Sequence, residues 1–481
     1  MNKMLPIGLF STLLLTACGG GSSGGGGGTP APTKYTWQFL QMVDTLPSGC
    51  NSSLATVFST TEVNGVIKNT YAVEATDVKI TISDINGNHQ VYLDQSDISP
   101  SGQLVLSEDQ IPDGGYVSVV ETDNLTGSVA YVLSVQKEML TDAFIKVNTN
   151  QGANSNCYTK NALKIDSNKK KVTIEYTPND GISAVSAEDY FDGKSTPNSA
   201  PTINNLTVIS PSEPVLLSGY TNDQNGALDN ITHYKYVESK TLATDTPASV
   251  SNNQTLLTID GLSRIDVYPS SNAITTTFDK LTVKSLFNEH SFDWFSWNNE
   301  NQNNTYEVST PFGSEYSYSA QYHTMINGWD TLSNNIVTNG LSDVDLHNVS
   351  LSSDPLILTC ISGVCEFDFT DVTSETIQGA LVDYTLQEGV FTMNHSVYAK
   401  GPIVTIPQVI TSRYPDHTTP VNTSFISSDQ DNKEITDIFT VFGKTKNFSS
   451  TAGRVEMLLP PALGLAHEEL LIKNNYNIFT K

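Results

Sequence analysis

Residues 78–93 run Val78-Lys79-Ile80-Thr81-Ile82-Ser83-Asp84-Ile85-Asn86-Gly87-Asn88-His89-Gln90-Val91-Tyr92-Leu93. Val78, Ile80 and Ile82 alternate with Lys79, Thr81 and Ser83. That period of two predicts a strand with one face buried. Asn86-Gly87 follows, the strongest short-range hairpin signal because both central residues of a type I′ turn need positive φ. Val91-Tyr92-Leu93 then supplies the returning strand. Working outward, Pro100-Ser101-Gly102 turns into Leu104-Val105-Leu106, and Ile111-Pro112-Asp113-Gly114-Gly115 turns into Tyr116–Val120. Val129–Val135 and Val172–Tyr176 are further strand candidates. Short strands at regular spacing with turn signals between them point to a β-sandwich.

The β pattern resumes later in the chain. Apolar, β-branched runs occur at Leu256–Asp260, Arg264–Tyr268, Ile274–Val283, Leu356–Thr359, Val390–Met393, Ile403–Ile406 and Ile435–Phe442. Helical spacing is confined to 461–473, where Leu463, Ala466, Leu470 and Leu471 share a face. The expected architecture is therefore all-β: tandem β-sandwich domains after a disordered Gly-rich tether, with a short C-terminal helix. Composition shifts divide the chain into 34–192, a linker at 193–214 with Pro197, Pro201, Pro211 and Pro214, a β-rich domain at 215–395, and a C-terminal region at 396–481. The segments Asp84–Asn88 and Ile111–Val119 resemble those of immunoglobulin-like and prealbumin-like modules of exported bacterial proteins. That resemblance implies that the tandem sandwiches are immunoglobulin-like, with spacer, stalk or docking roles.

The first residues carry a different signal. Lys3 precedes the apolar run Ile7–Leu15, which ends in Leu15-Thr16-Ala17-Cys18. About ten apolar residues are too few to cross a bilayer core of about 30 Å as a helix. A charged start, a short apolar run and a small-residue end read as a removable signal. This stretch resembles the signal peptide and lipobox of bacterial lipoproteins. The resemblance implies removal of residues 1–17, a diacylglycerol thioether and an N-acyl chain on Cys18, and an outer-membrane destination, because Gly19 rather than Asp follows the cysteine. Several acyl chains anchor stably where one does not. Residues 19–33, Gly- and Ser-rich and ending in Pro30-Ala31-Pro32-Thr33, form the tether of the 18–33 segment. Gly20-x-Ser22-x-Gly24 matches the nucleophile-elbow pattern, but a flexible linker offers neither the strand nor the helix that motif requires.

The 481-residue chain holds 51 acidic and 25 basic residues, a formal charge of −26. Such a surface repels phosphate backbones, so nucleic acid is not an expected partner. Beyond Cys18, the cysteines are Cys50, Cys157, Cys360 and Cys365. In an exported protein an even number implies disulfides, here with three possible pairings. Cys50–Cys157 and Cys360–Cys365 are the pairings expected, the latter bracketing a short hairpin loop. Zinc would need clustered ligands, and the eight histidines are scattered.

Catalytic patterns are sparse. His467-Glu468-Glu469 lacks the second histidine of a metalloprotease helix, and no Gly-rich loop precedes a Lys-Ser or Lys-Thr pair. Asp223, Asn225 and Asp229 surround Gly226 in the alternating manner of a calcium loop, and Asp429, Asp431 and Asn432 form a similar oxygen-rich run, though neither fits the twelve-residue pattern. Such residues also make ordinary turns, and no cofactor is expected beyond the lipid. The stretch 287–329 is crowded with aromatics, among them Trp294, Trp297, Tyr306, Tyr318 and Trp329, interleaved with asparagines. Three readings stay open for it: packed core, protein interface, or a glycan platform of stacking rings and amide groups.

The expected function is a lipid-anchored, surface-exposed envelope protein with a structural or interaction role, whose partners are the membrane and other envelope or surface proteins. A flagellar-sheath coat lipoprotein is one form of it. Carbohydrate binding or adhesion is the alternative, and a hydrolase assembled only by folding is the third.

Overall fold

The architecture was obtained as a computed structural model. It describes residues 31–51, 54–63, 66–93, 96–122, 128–148, 156–159, 170–177, 181–189, 193–208, 214–222, 228–238, 252–255, 257–258, 265–269, 278–287, 290–300, 306–308, 317–337, 344–346, 351–352, 358–410, 414–416, 419, 421–428, 438, 442, 455–458 and 476–481. Strands make up most of the described residues and the helical elements among them are single short turns, so the all-β expectation holds. The helical segment expected at 461–473 lies outside the described residues.

One sheet organises the molecule. Its twelve strands run, in spatial order, His290–Glu300, Phe278–Phe287, Ser317–Ile326, Trp329–Val337, Tyr476–Thr480, Val421–Ser428, Thr376–Glu388, Phe391–Lys400, Val129–Gln136, Tyr116–Thr122, Lys79–Ser83 and His89–Leu93. Every neighbouring pair is antiparallel except Phe391–Lys400 with Val129–Gln136, which run parallel with His395 opposite Val132. Strands from 34–192, 215–395 and 396–481 thus share one hydrogen-bonded sheet.

Both faces of this sheet are covered. On one side, Ile80, Val117, Leu133, Leu381 and Ile478 pack with Trp37, Phe39, Leu104, Ile145 and Met457 of a six-stranded sheet built on Lys34–Val43. On the other, Val132, Val382, Val397, Phe425 and Phe479 pack with Cys365, Phe367 and Val404 of a small three-stranded sheet and with Ile406 just beyond it. The result is layered sheets in sandwich fashion. The alternation at Lys79–Ser83 reflects this: Thr81 and Ser83 are buried along with Ile80 and Ile82, so the strand is covered on both faces rather than half-buried.

A turn forms after that strand, but it is not the type I′ turn that Asn86-Gly87 signals: of the two only the glycine has positive φ, and the Gly87 N–H donates to the Asp84 carbonyl at 2.9 Å, which makes Ile85 and Asn86 the central residues. Gly87 has φ +77°, and the Asp84 carboxylate accepts the backbone N–H groups of Asn86 and Asn88, each at 2.9 Å. Within 193–214, the strand Thr202–Val208 pairs antiparallel with Lys170–Thr177, burying Ile203 and Leu206. One expected strand is corrected: in the run Ile435–Phe442, Ile438 and Phe442 carry helical backbone. Both join the core, Phe442 meeting Tyr398 edge-to-face at 5.8 Å.

The cysteine framework closes as expected. Cys50 bonds Cys157, and Cys360 bonds Cys365 directly across the hairpin Leu358–Ile361/Val364–Asp368. The hairpin turns through Ser362 (φ +53°) and Gly363 (φ +87°), the two left-handed residues of a tight two-residue loop.

Candidate functional site

The aromatic stretch is the first candidate. His290–Glu300 pairs with Phe278–Phe287 at the sheet's end, and a neighbouring five-stranded sheet packs against it through Leu228–Glu238. Trp294 is fully buried, edge-on to Tyr234 at 5.6 Å, while Phe292 meets Tyr236 at 5.4 Å. The Tyr236 hydroxyl lies 3.0 Å from that of Ser285, and the Glu188 carboxylate accepts the Asp293 N–H at 2.7 Å. Trp329 is fully buried too, against Phe425 at 5.2 Å, with the Lys481 ammonium over its ring. Of the three readings of this stretch, packed core is what Trp294 and Trp329 do, and neither ring is open to a sugar. Trp297, Tyr306 and Tyr318 lie in the strands His290–Glu300, Tyr306–Val308 and Ser317–Ile326. Their side chains are outside the described part.

The remaining sequence candidates are dispersed. Cys18, Asp223, Asn225, Asp429, Asp431 and His467 lie outside the described residues. Asp229 lies in the strand Leu228–Glu238, its side chain undescribed. Among the described residues no three His, Cys, Asp or Glu side chains gather as a metal site. No described helix is long and apolar enough to cross a membrane.

The second candidate has no local sequence signal. At the parallel seam, the hydroxyls of Ser118 and Ser134 lie 2.7 Å apart, Ser134 Oγ is 2.7 Å from His395 Nε2, and His395 Nδ1 is 2.7 Å from the Tyr384 hydroxyl. All four side chains face the same side of the sheet and are buried. Burial holds the imidazole down at a pKa of about 3 and pushes the Tyr384 phenol well up. His395 is therefore neutral, one ring nitrogen donating and the other accepting. A serine at 2.7 Å from an imidazole is the spacing of an activated nucleophile. Here, however, the third group is a phenol rather than a carboxylate, and the pair lies under the layer carrying Phe367 and Val404. The line satisfies buried polar groups and fixes register across the seam. Only the facing parity of four strands could have revealed it.

Two further polar knots act the same way. The Glu121 carboxylate accepts the backbone and side-chain N–H groups of Asn148 at 2.8 and 2.9 Å. Lys146, almost wholly buried, pairs with Glu456 at 3.2 Å, tying Ala143–Val147 to Glu456–Leu458. Comparison with known protein families and with curated proteins finds no match for this chain.

Proposed function

We propose that this is a lipid-anchored cell-envelope protein whose β-built body has a structural or interaction role. The observation that carries the reading is the run Leu15-Thr16-Ala17-Cys18 followed directly by a Gly/Ser tether. The two disulfides support it, because such bonds persist in oxidising compartments outside the cytoplasm. So does the use made of buried polar groups: Ser134, His395, Glu121 and Lys146 are engaged in bonds that hold strands together. Outer-membrane attachment with the body exposed at the surface, as a coat, is the form proposed. The experiment is mass spectrometry of the amino-terminal peptide from the membrane fraction, together with protease shaving of intact cells. An acylated Cys18 peptide, lost in Cys18→Ser, and release of the body from intact cells are expected. An unmodified amino terminus in soluble protein would sink the anchoring, and full protection until the outer membrane is opened would sink the surface coat.

A further inference from the structure

The strand Tyr476–Thr480 fills a slot in the middle of the large sheet. Trp329–Val337 lies on one side, with Leu332 opposite Ile478 and Asp330 opposite Thr480. Val421–Ser428 lies on the other, with Ser424 opposite Thr480 and Ser427 opposite Asn477. Four strands stand beyond one flank and seven beyond the other, counting the flanks themselves, and among the described residues the flanks do not pair directly. The slot is built side chain by side chain. Phe479 stacks on Phe425 at 4.6 Å, and the Asn477 amide donates to the Glu375 carboxylate at 3.0 Å. Tyr476 is buried among the residues of the opposite face, and Thr480 and Ser424 bring their hydroxyls to 3.1 Å.

The described partners of this segment lie far away in sequence, at 329–337 and 375–428. The preceding described residue is Leu458, and the intervening seventeen residues, 459–475, could extend to at most roughly 58 Å. A second copy's segment would meet the same sockets and the same register. We infer that the slot is a strand acceptor, filled by the chain's own Tyr476–Thr480 and open to exchange with the same segment of a second copy. Because the contacts are the same either way, the balance is set by concentration alone. A short flexible link gives the segment it carries an effective concentration of about millimolar. Exchange between copies is therefore rare for dilute chains and becomes populated where copies crowd, as on a membrane to which each is tethered. That crowding clause rests on the lipid-anchor reading.

The register supplies the test. The double variant Ser424→Cys/Thr480→Cys closes a bond within one chain when the slot is filled by its own segment. Co-expression of a Ser424→Cys chain and a Thr480→Cys chain under different tags then isolates exchange. A cross-linked peptide joining 424 of one tag to 480 of the other is expected, rising with expression and lost when the donor also carries Ile478→Pro. Absence of that link at every expression level, with the double variant closing within one chain, overturns the exchange. Refolding the same pair in a Cys18→Ser background, at micromolar and at millimolar concentration, removes the membrane. A link at millimolar only is expected there, and no link at either concentration overturns the exchange independently of where the protein is anchored.

Discussion

His395 Nε2 lies 2.7 Å from the hydroxyl of Ser134, 261 positions earlier in the chain, across the one parallel pairing of the twelve-stranded sheet. The contact joins residues 129–136 to 391–400 through a group that must stay uncharged to remain there.

That requirement gives the protein an acid limit. Burial lowers the imidazole to about 3 in the folded state, against about 6.5 when unfolded. Below about pH 6.5 the unfolded chain takes up a proton that the folded chain refuses, so this contribution is complete above 6.5 and lost as pH falls towards 3. Between pH 6.5 and 5 the loss is about 2 kcal/mol. Urea midpoints across this range should show the slope in the native chain and a shallower one in His395→Gln. Equal slopes would remove His395 as the cause.

A second prediction concerns the contact between Gly379 and the helical residue Ile438. A Cβ on Gly379 would come within 2.8 Å of Ile438 Cγ2. Overpacking of this kind costs about 1–3 kcal/mol, and thermal melts of Gly379→Ala should show it. The same substitution made in Ile438→Ala should cost markedly less, because the two effects are coupled through one contact. Simple additivity of the two would refute the clash.

The two disulfides should differ in weight. Cys50 and Cys157 are 107 residues apart and Cys360 and Cys365 five apart. On the chain-entropy account the long closure contributes about 4–5 kcal/mol and the short one about 2. Denaturation of Cys50→Ala/Cys157→Ala should therefore show the larger drop in midpoint than Cys360→Ala/Cys365→Ala. The reverse order would mean that Cys365, buried beside Phe367 and Val404, matters more through packing than through chain closure.

Tryptophan accessibility follows from burial. Trp37, Trp294 and Trp329 are fully buried, and the fourth tryptophan is Trp297. Acrylamide should quench no more than a single-residue share of the emission, and that share should vanish in Trp297→Phe. Quenching of two or more would mean that the rings at the 287–329 stretch are open after all, and would revive glycan stacking.

Much of the fold was legible because strands advertise themselves locally. Val78, Ile80 and Ile82 mark their strand by alternation, and Gly87 marks the turn with a positive φ that few other residues adopt. What escaped was set by distant chain. Thr81 and Ser83 look solvent-facing in sequence and are buried because both faces of the sheet are covered. Ile438 and Phe442 sit in a run of β-formers, where a spacing of four is easily read as part of an extended strand. The Ser134–His395 contact carries no local signal, since neither residue is unusual beside its own neighbours. In the aromatic stretch, crowding was evident but its side of the sheet was not, and Trp294 is core because Tyr234 of another sheet covers it.

The parallel seam also dictates timing. Val129–Gln136 cannot find Phe391–Lys400 until more than 250 further residues have been made, and Lys146 likewise waits for Glu456. Contacts closed over such separations are late and slow to form. The first strands must therefore be held with their pairing edges unsatisfied for most of synthesis, the condition under which unfinished sheets aggregate. A chain with this wiring is suited to being kept unfolded until it is whole, and then to folding in one long-range collapse.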